Sequence, residues 1–174
     1  IRCGAGNVIE KRSFGQLFGV DISSFILTKA KQKLNERVHL FQGDAQNLPC
    51  KDGIFMKVIC SEVLEHLLFP KHALNEMSRI LKPRGIAIIS VPNELFINRI
   101  KGVLVQLRIF QWFINRRGEY REMPERMEDE WHLHSYPFRE WTKLFKKFFK
   151  VTALRRIPFL WLPLRYVVRL EKLK

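Results

Sequence analysis

Leu17-Phe18-Gly19-Val20-Asp21-Ile22-Ser23 is the stretch on which the reading of this chain turns. A short apolar strand runs into an acid, and Ser23 and Ser24 follow as candidate caps for a helix. Upstream lies a glycine-rich turn, Cys3-Gly4-Ala5-Gly6. Downstream, the next apolar run, Val38-His39-Leu40-Phe41-Gln42-Gly43, ends on a second acid, Asp44, and a further strand pattern ends at Cys60-Ser61-Glu62. Open α/β sheets bind ligands outside the carboxyl ends of their strands. A backbone that allows close approach, one acid for ribose hydroxyls and another for a base amine are what an adenosine-type cofactor needs, and they occur here in that order.

Outward from this stretch, strands alternate with helices. Residues 7–13 read as a short helix. Residues 17–21 read as a strand, and a helix then runs to Leu34 with Ile26, Leu27, Ala30 and Leu34 on one face. A strand over 38–42, a loop at Asn47-Leu48-Pro49 and a buried strand over 56–60 come next. Val63, Leu64 and Leu67 lead a helical turn that Pro70 is expected to end, and His72 to Leu81 reads as a helix. Lys82-Pro83-Arg84-Gly85 reads as a turn before Ile86-Ala87-Ile88-Ile89-Ser90-Val91, a strand apolar enough to be covered on both faces. The pattern predicts an α/β fold: a doubly wound, mostly parallel sheet with helices on both faces. It is read as one domain over 1–174, divided into a cofactor-binding half (1–93), a lid or insertion (94–136) and a C-terminal part (137–174). The lid carries an amphipathic helix over 95–116 and a charged loop from Arg116 to Glu130. A helix from Glu140 to Phe149 and the final strands follow.

The composition suits a folded domain. Hydrophobic residues make up 47% of the 174, which excludes a chain disordered by composition. The net charge of +14 favours anionic partners without choosing among nucleic acid, lipid and phosphorylated substrates. Three cysteines, Cys3, Cys50 and Cys60, form no C-x-x-C pair, which fits a reduced, cytoplasmic protein with no zinc ribbon. The longest apolar stretch, Ile100 to Ile114, is broken by Lys101, Gln106, Arg108 and Gln111 and is too short and polar to span a bilayer. The chain opens on Ile1-Arg2 without an initiator methionine and reads as a fragment or a processed chain.

Four motifs in order give a family resemblance: Ile1-Arg2-Cys3-Gly4-Ala5-Gly6; Gly19-Val20-Asp21-Ile22-Ser23; Gly43-Asp44-Ala45-Gln46-Asn47-Leu48-Pro49; and Cys60-Ser61-Glu62-Val63-Leu64-Glu65-His66-Leu67 with Leu81-Lys82-Pro83-Arg84-Gly85. Together they resemble the class I S-adenosylmethionine-dependent methyltransferases, in the small-molecule branch called methyltransferase type 11, over residues 1–93. The resemblance implies S-adenosylmethionine as cofactor. Gly4 and Gly6 would admit its methionine part, Asp21 would accept from the ribose and Ile22 would pack on the adenine. Asp44 would accept from the adenine amine with the Ala45 amide near a ring nitrogen, and Cys60 and Ser61 would close the site at the strand edge. The implied reaction is methyl transfer to a small or lipophilic acceptor at oxygen or carbon.

Three positions depart from the family pattern. Arg2 stands where the cofactor loop has its first glycine. The central first strand, with the acid that closes it, would precede Ile1. Phe55-Met56 lacks the acid of the usual aromatic-acid pair. These departures leave a non-catalytic methyltransferase-like fragment as an alternative, and buried unpaired backbone groups at such a gap would cost about 1–3 kcal/mol each. The net charge keeps an RNA-modifying enzyme as another. Base-amine methylating enzymes of the same fold commonly carry an Asn/Asp-Pro-Pro-aromatic turn where this chain has Cys60-Ser61-Glu62-Val63, which argues against base-amine methylation and makes nucleic acid the lesser expectation. A dinucleotide oxidoreductase would need a third glycine where Ile9 stands.

An acceptor hydroxyl needs a base, and the candidates are His66, His132 and His134. His132 and His134 share a face in extended chain and lie near Glu130, but that spacing alone is weak grounds for a metal site, and none is assigned. Aromatic residues mixed with cations, Phe110, Trp112 and Arg116 in the lid and Phe159, Trp161 and Arg165 in the tail, suit peripheral membrane contact or a lipophilic acceptor.

Overall fold

The computed structural model describes residues 9, 15–34, 37–106, 134, 136–159, 161 and 163–173. The elements run β1 (Leu17–Asp21), α1 (Ser24–Lys33), β2 (Val38–Gln42), β3 (Phe55–Ser61), a 3-10 turn (Leu64–His66), α2 (Pro70–Ile80), β4 (Leu81–Pro92), α3 (Glu94–Gln106), α4 (Phe138–Phe145), β5 (Phe149–Pro158) and β6 (Pro163–Lys172). β1 pairs in parallel with β2, and β3 in parallel with β4. β6 lies antiparallel between β4 and β5, which sets the order of the larger sheet as β3-β4-β6-β5. Among the described residues the strands form two sheets, β1-β2 and β3-β4-β6-β5. The pieces are joined by side chains: the Phe18 and Phe55 rings meet edge to face at 5.3 Å. The fold is the expected α/β class.

Local rules explain most boundaries. Ser23 caps α1, its hydroxyl accepting from the Ile26 amide at 3.3 Å, and Ala30 is the fully buried residue of the face read from the sequence. Pro70 corrects an expectation: it does not end the 3-10 turn but begins α2, at a position where its missing N–H has no intrahelical partner to lose. Ala73, Leu74, Met77 and Ile80 of α2 are buried as read. The turn over 82–85 is a wide bulge inside β4. Phe55 pairs with Leu81 and Lys57 with Ile86, and the intervening residues loop out with Arg84 at φ +58°. Gly85 is required there, because a Cβ would stand 2.8 Å from the Lys82 carbonyl oxygen.

The C-terminal helix is shorter than read and sits earlier: α4 spans Phe138–Phe145, and Phe149 opens β5. Trp141, Phe145 and Phe149 are buried with Leu74, Met77, Ile89, Val168 and Leu170 in one core. Truncating a fully buried aromatic such as Phe145 would cost about 3–5 kcal/mol. The short helix expected over 7–13 lies, Ile9 apart, outside the described residues. So do the second half of the helix read over 95–116 and the loop from Arg116 to Glu130.

Candidate functional site

The carboxyl ends of β1, β2, β3 and β4 carry the residues of interest. Asp21 closes β1 and is 4% exposed, while Ile22, next to it, is 69% exposed. The strand tip thus holds an enclosed acid next to an exposed apolar side chain. Asp21 Oδ1 accepts from the Ser23 amide at 3.1 Å, and the Asp21 carbonyl accepts from the Gly43 amide at 3.1 Å, which ties the β1 tip to the β2 tip. Gly43 lies close under Pro49, whose Cδ would stand 3.1 Å from a Cβ, so the turn that presents Asp44 folds tightly back on itself.

Asp44 Oδ1 accepts from the Gln46 amide at 2.9 Å, and its Oδ2 accepts from the Gln46 side-chain amide at 3.2 Å. Ala45 is buried behind it. The turn is clamped to α2. Glu76 Oε2 accepts from the Leu48 amide at 2.8 Å, and Arg79 donates to the Leu48 and Cys50 carbonyls at 3.0 and 2.7 Å. Arg79 also grips Glu76 through two bonds, at 2.8 and 2.7 Å. Hydrogen bonding from Arg79 holds the Glu76 carboxyl below its ordinary pKa, against the opposing pull of burial.

Cys60 and Ser61 end β3. The Cys60 thiol is 1% exposed within the core, and burial pushes its pKa up to about 12, with Glu65 and Glu62 adding to the rise. Its side chain is therefore packing, and only its backbone is placed to serve a ligand. Ser61 and Ser90 hydroxyls lie 2.9 Å apart, and Ser90 donates to Glu62 Oε1 at 2.7 Å. Glu62 also meets Arg165 of β6 at 3.3 Å and adopts φ +52°, a left-handed conformation that non-glycine residues rarely hold. Sequence reasoning gave Glu62 and Ser90 no role and read Arg165 only as a cation of the aromatic-rich tail. The rule that picked Asp21 and Asp44, an acid at a strand tip, points equally to Glu62. The Arg165 contact depends on the antiparallel return of β6, which no local pattern announces.

His66 closes the 3-10 turn, with Nε2 3.9 Å from Glu65 Oε1 on the fully buried Glu65. The His134 amide donates to the Glu65 carbonyl at 3.1 Å, and its ring Nε2 lies 3.3 Å from the Leu68 carbonyl oxygen. The His134 ring stacks on Tyr136 with centroids 4.8 Å apart. Gln46 Oε1 accepts from the Phe69 amide at 2.9 Å. Hydrogen bonds thus connect the Asp44 turn, through residues 65–69, to His134. Asp21 and Ile22 stand at the carboxyl end of β1, Asp44 and Ala45 just beyond β2, Cys60 and Ser61 at the end of β3, and His66 and His134 in two segments hydrogen-bonded to each other beyond β3. Gly4, Gly6 and His132 lie outside the described residues.

A family profile described as "Methyltransferase domain" matches residues 1–89. The chain belongs to this family, the class I S-adenosylmethionine-dependent methyltransferases. Its curated relatives include demethylmenaquinone methyltransferases. That of Staphylococcus epidermidis is 40% identical over 78 residues, covering 44% of this chain and 32% of the relative. That of Lactiplantibacillus plantarum is 28% identical over 156 residues, covering 77% and 62%. The chain thus spans about a third of the length of the first of these relatives. Among solved structures, the PH0226 protein of Pyrococcus horikoshii superposes with a TM-score of 0.69 at 22% identity, covering 99% of this chain and 79% of that one. An S-adenosylmethionine-dependent methyltransferase of Aquifex aeolicus gives 0.67 at 14% identity, covering 99% and 79%. Both share the fold.

S-adenosylmethionine is the cofactor of this family, and the donor set at the sheet edge fits it. The edge offers a buried carboxylate at the end of β1, an exposed apolar side chain beside it and a second carboxylate just beyond β2, acceptors and surfaces of the kind an adenosine uses. No helix among the described residues is long and apolar enough to cross a membrane.

Proposed function

We propose that this protein transfers a methyl group from S-adenosylmethionine to oxygen or carbon of a small, lipophilic acceptor. The observation that carries the reading is the pairing of buried Asp21 and exposed Ile22 at the tip of β1 with Asp44 just beyond the tip of β2. Asp21 accepts from the ribose hydroxyls, Ile22 lies on the adenine and Asp44 accepts from the adenine amine. Gly4 and Gly6, in the motif that resembles the family's cofactor loop, would admit the methionine part. Ser61 bounds the site on the β3 side. The bound cofactor supplies a sulfonium methyl with an excellent leaving group. The chain's task is to hold the acceptor in line with it and to exclude water.

A proton must leave an acceptor hydroxyl, and His66, His134 and His132 are the bases proposed, with Glu62 added by its place at the same edge. The acceptor class rests on the edge's exposed apolar side chains, Leu68 (61%), Phe69 (54%) and Leu95 (55%), and on relatives named for a menaquinone precursor. A hydroquinone is the chemistry that fits both. A cytoplasmic location with contact at a membrane periphery goes with such an acceptor.

Isothermal titration with S-adenosylhomocysteine tests the cofactor half. Binding that Asp21→Ala weakens by about tenfold or more, roughly one lost charge-assisted hydrogen bond, supports it. Absence of binding favours a non-catalytic relative. Transfer of labelled methyl to a naphthohydroquinone in detergent tests the acceptor half.

A further inference from the structure

The turn between β5 and β6 reads Ile157-Pro158-Phe159-Leu160-Trp161-Leu162-Pro163-Leu164, without one polar side chain. Hairpin turns ordinarily carry Gly, Asn or Asp, which water solvates and which tolerate a tight backbone. Here Trp161 is 75% exposed and Phe159 54%, and their rings stack with centroids 5.4 Å apart and planes 3° from parallel. The residues of β5 from Ala153 to Pro158 are all exposed, so the end of the hairpin stands clear of the core. Between Val151 and Leu170 the chain has four arginines, Arg155, Arg156, Arg165 and Arg169, and no acid. Arg165 is engaged by Glu62, while Arg155 and Arg156 are exposed on the strand that enters the tip.

The tip also has a defined place. β6 is antiparallel to β4 with Arg165 opposite Pro92, so the hairpin turns at the edge that carries Ser61, Glu62 and Ser90. Asn93 fastens it there: its amide donates to the Leu164 carbonyl at 2.9 Å and its side chain to the Pro163 carbonyl at 2.7 Å.

We propose that this hairpin tip docks the protein on an anionic lipid bilayer, with Phe159 and Trp161 entering the headgroup boundary and Arg155 and Arg156 against lipid phosphates. Amphipathic aromatics settle at that depth, and flanking cations add attraction to an anionic surface. Single-stranded RNA fits less well: rings already stacked on each other offer a base little face, and the aliphatic residues around them gain nothing from phosphate. A second copy fits less well still, since each chain carries +14. Docking would turn the edge with the candidate site toward the bilayer, where a lipophilic acceptor resides. The lipophilic-acceptor reading bears only on that last consequence.

The test is co-sedimentation of the full chain with vesicles of phosphatidylcholine alone and of phosphatidylcholine mixed equally with phosphatidylglycerol, without cofactor or acceptor. The expected result is partitioning onto the anionic vesicles that the double variant F159S/W161S lowers by about tenfold or more. The double variant R155E/R156E should remove the preference for anionic over neutral vesicles. Acyl-brominated lipid should quench the fluorescence of the original chain more than that of Trp161→Phe, a conservative change at an exposed site. Vesicle binding undiminished in F159S/W161S, or quenching equal with and without Trp161, overturns the proposal. So does failure of either vesicle to retain the chain, whatever else it binds. Failed vesicle binding leaves the methyltransferase reading standing, and failed methylation leaves the docking surface standing.

Discussion

Asp21 and Asp44 are both strand-end aspartates, yet they stand in different surroundings. Asp21 is almost wholly buried, and one of its oxygens orders the Ser23 amide. Asp44 is half-buried, with both oxygens engaged by Gln46. A ligand that uses Asp44 must draw it away from the Gln46 side chain. Asp21→Ala is therefore expected to lower S-adenosylhomocysteine affinity more than Asp44→Ala in titration calorimetry, with the lost bond to Ser23 contributing about 1 kcal/mol to its cost in urea unfolding. Cys60 gives a second prediction. With a pKa near 12, its thiolate fraction at pH 8 is about one part in ten thousand, and the side chain is enclosed. Iodoacetamide should leave Cys60 unmodified in the native chain and react once the chain is unfolded, as peptide mass mapping would show. The acids at the tips of β1 and β2 were legible because each stands next to its strand in sequence. The role of Cys60 was not, since neighbouring residues in a strand face opposite ways and only packing tells which one meets the core.

At the scale of elements, the clamp between α2 and the Asp44 turn holds the site in shape. Arg79 reaches two carbonyls and Glu76, and Glu76 takes the Leu48 amide. Removing the guanidinium leaves those carbonyls without their side-chain donor and the largely enclosed carboxylate with the Leu48 amide but no cation, so Arg79→Ala is expected to cost about 2–3 kcal/mol. It should also weaken cofactor binding through the loosened turn. Because the native pKa of Glu76 is depressed, its stabilising contribution is full above the ordinary value of 4.5 and fades as pH falls through the lowered native value. Urea midpoints measured from pH 6 downward should fall less steeply for Arg79→Ala than for the original chain. None of this clamp shows in the sequence, where Leu48 and Cys50 stand 28 to 31 residues before the helix positions that bind them. The helices and strands themselves were legible because apolar spacing is local. The errors fell at junctions: Pro70 was taken as a stop when its fixed φ suited a start, and the end of the last helix was placed at Phe149, which is apolar because it opens a buried strand.

Across the whole molecule, the candidate cofactor residues are shared between two sheet pieces. β4 is paired on both sides, by β3 and β6, and carries the fully buried Ala87, Ile89 and Val91. β1 and β2 form a separate parallel pair, joined to the rest through Phe18, Gln46 and Leu48. Local opening is cheapest where fewest buried contacts must part, so the β1-α1-β2 unit should exchange its amide hydrogens faster than β4 does. A ligand that binds only the closed arrangement suppresses such opening in proportion to the logarithm of its concentration over its Kd. Saturating S-adenosylhomocysteine is therefore expected to slow exchange in peptides covering Asp21–Ser23 and Gly43–Leu48, while the opposite end of the larger sheet, around Lys150 and Lys172, stays unchanged. Hydrogen exchange read by mass spectrometry checks this. Protection confined to those two strand tips would locate the adenosine between them. Protection spread evenly over both pieces would mean general tightening, and protection at neither tip would remove the site from this edge.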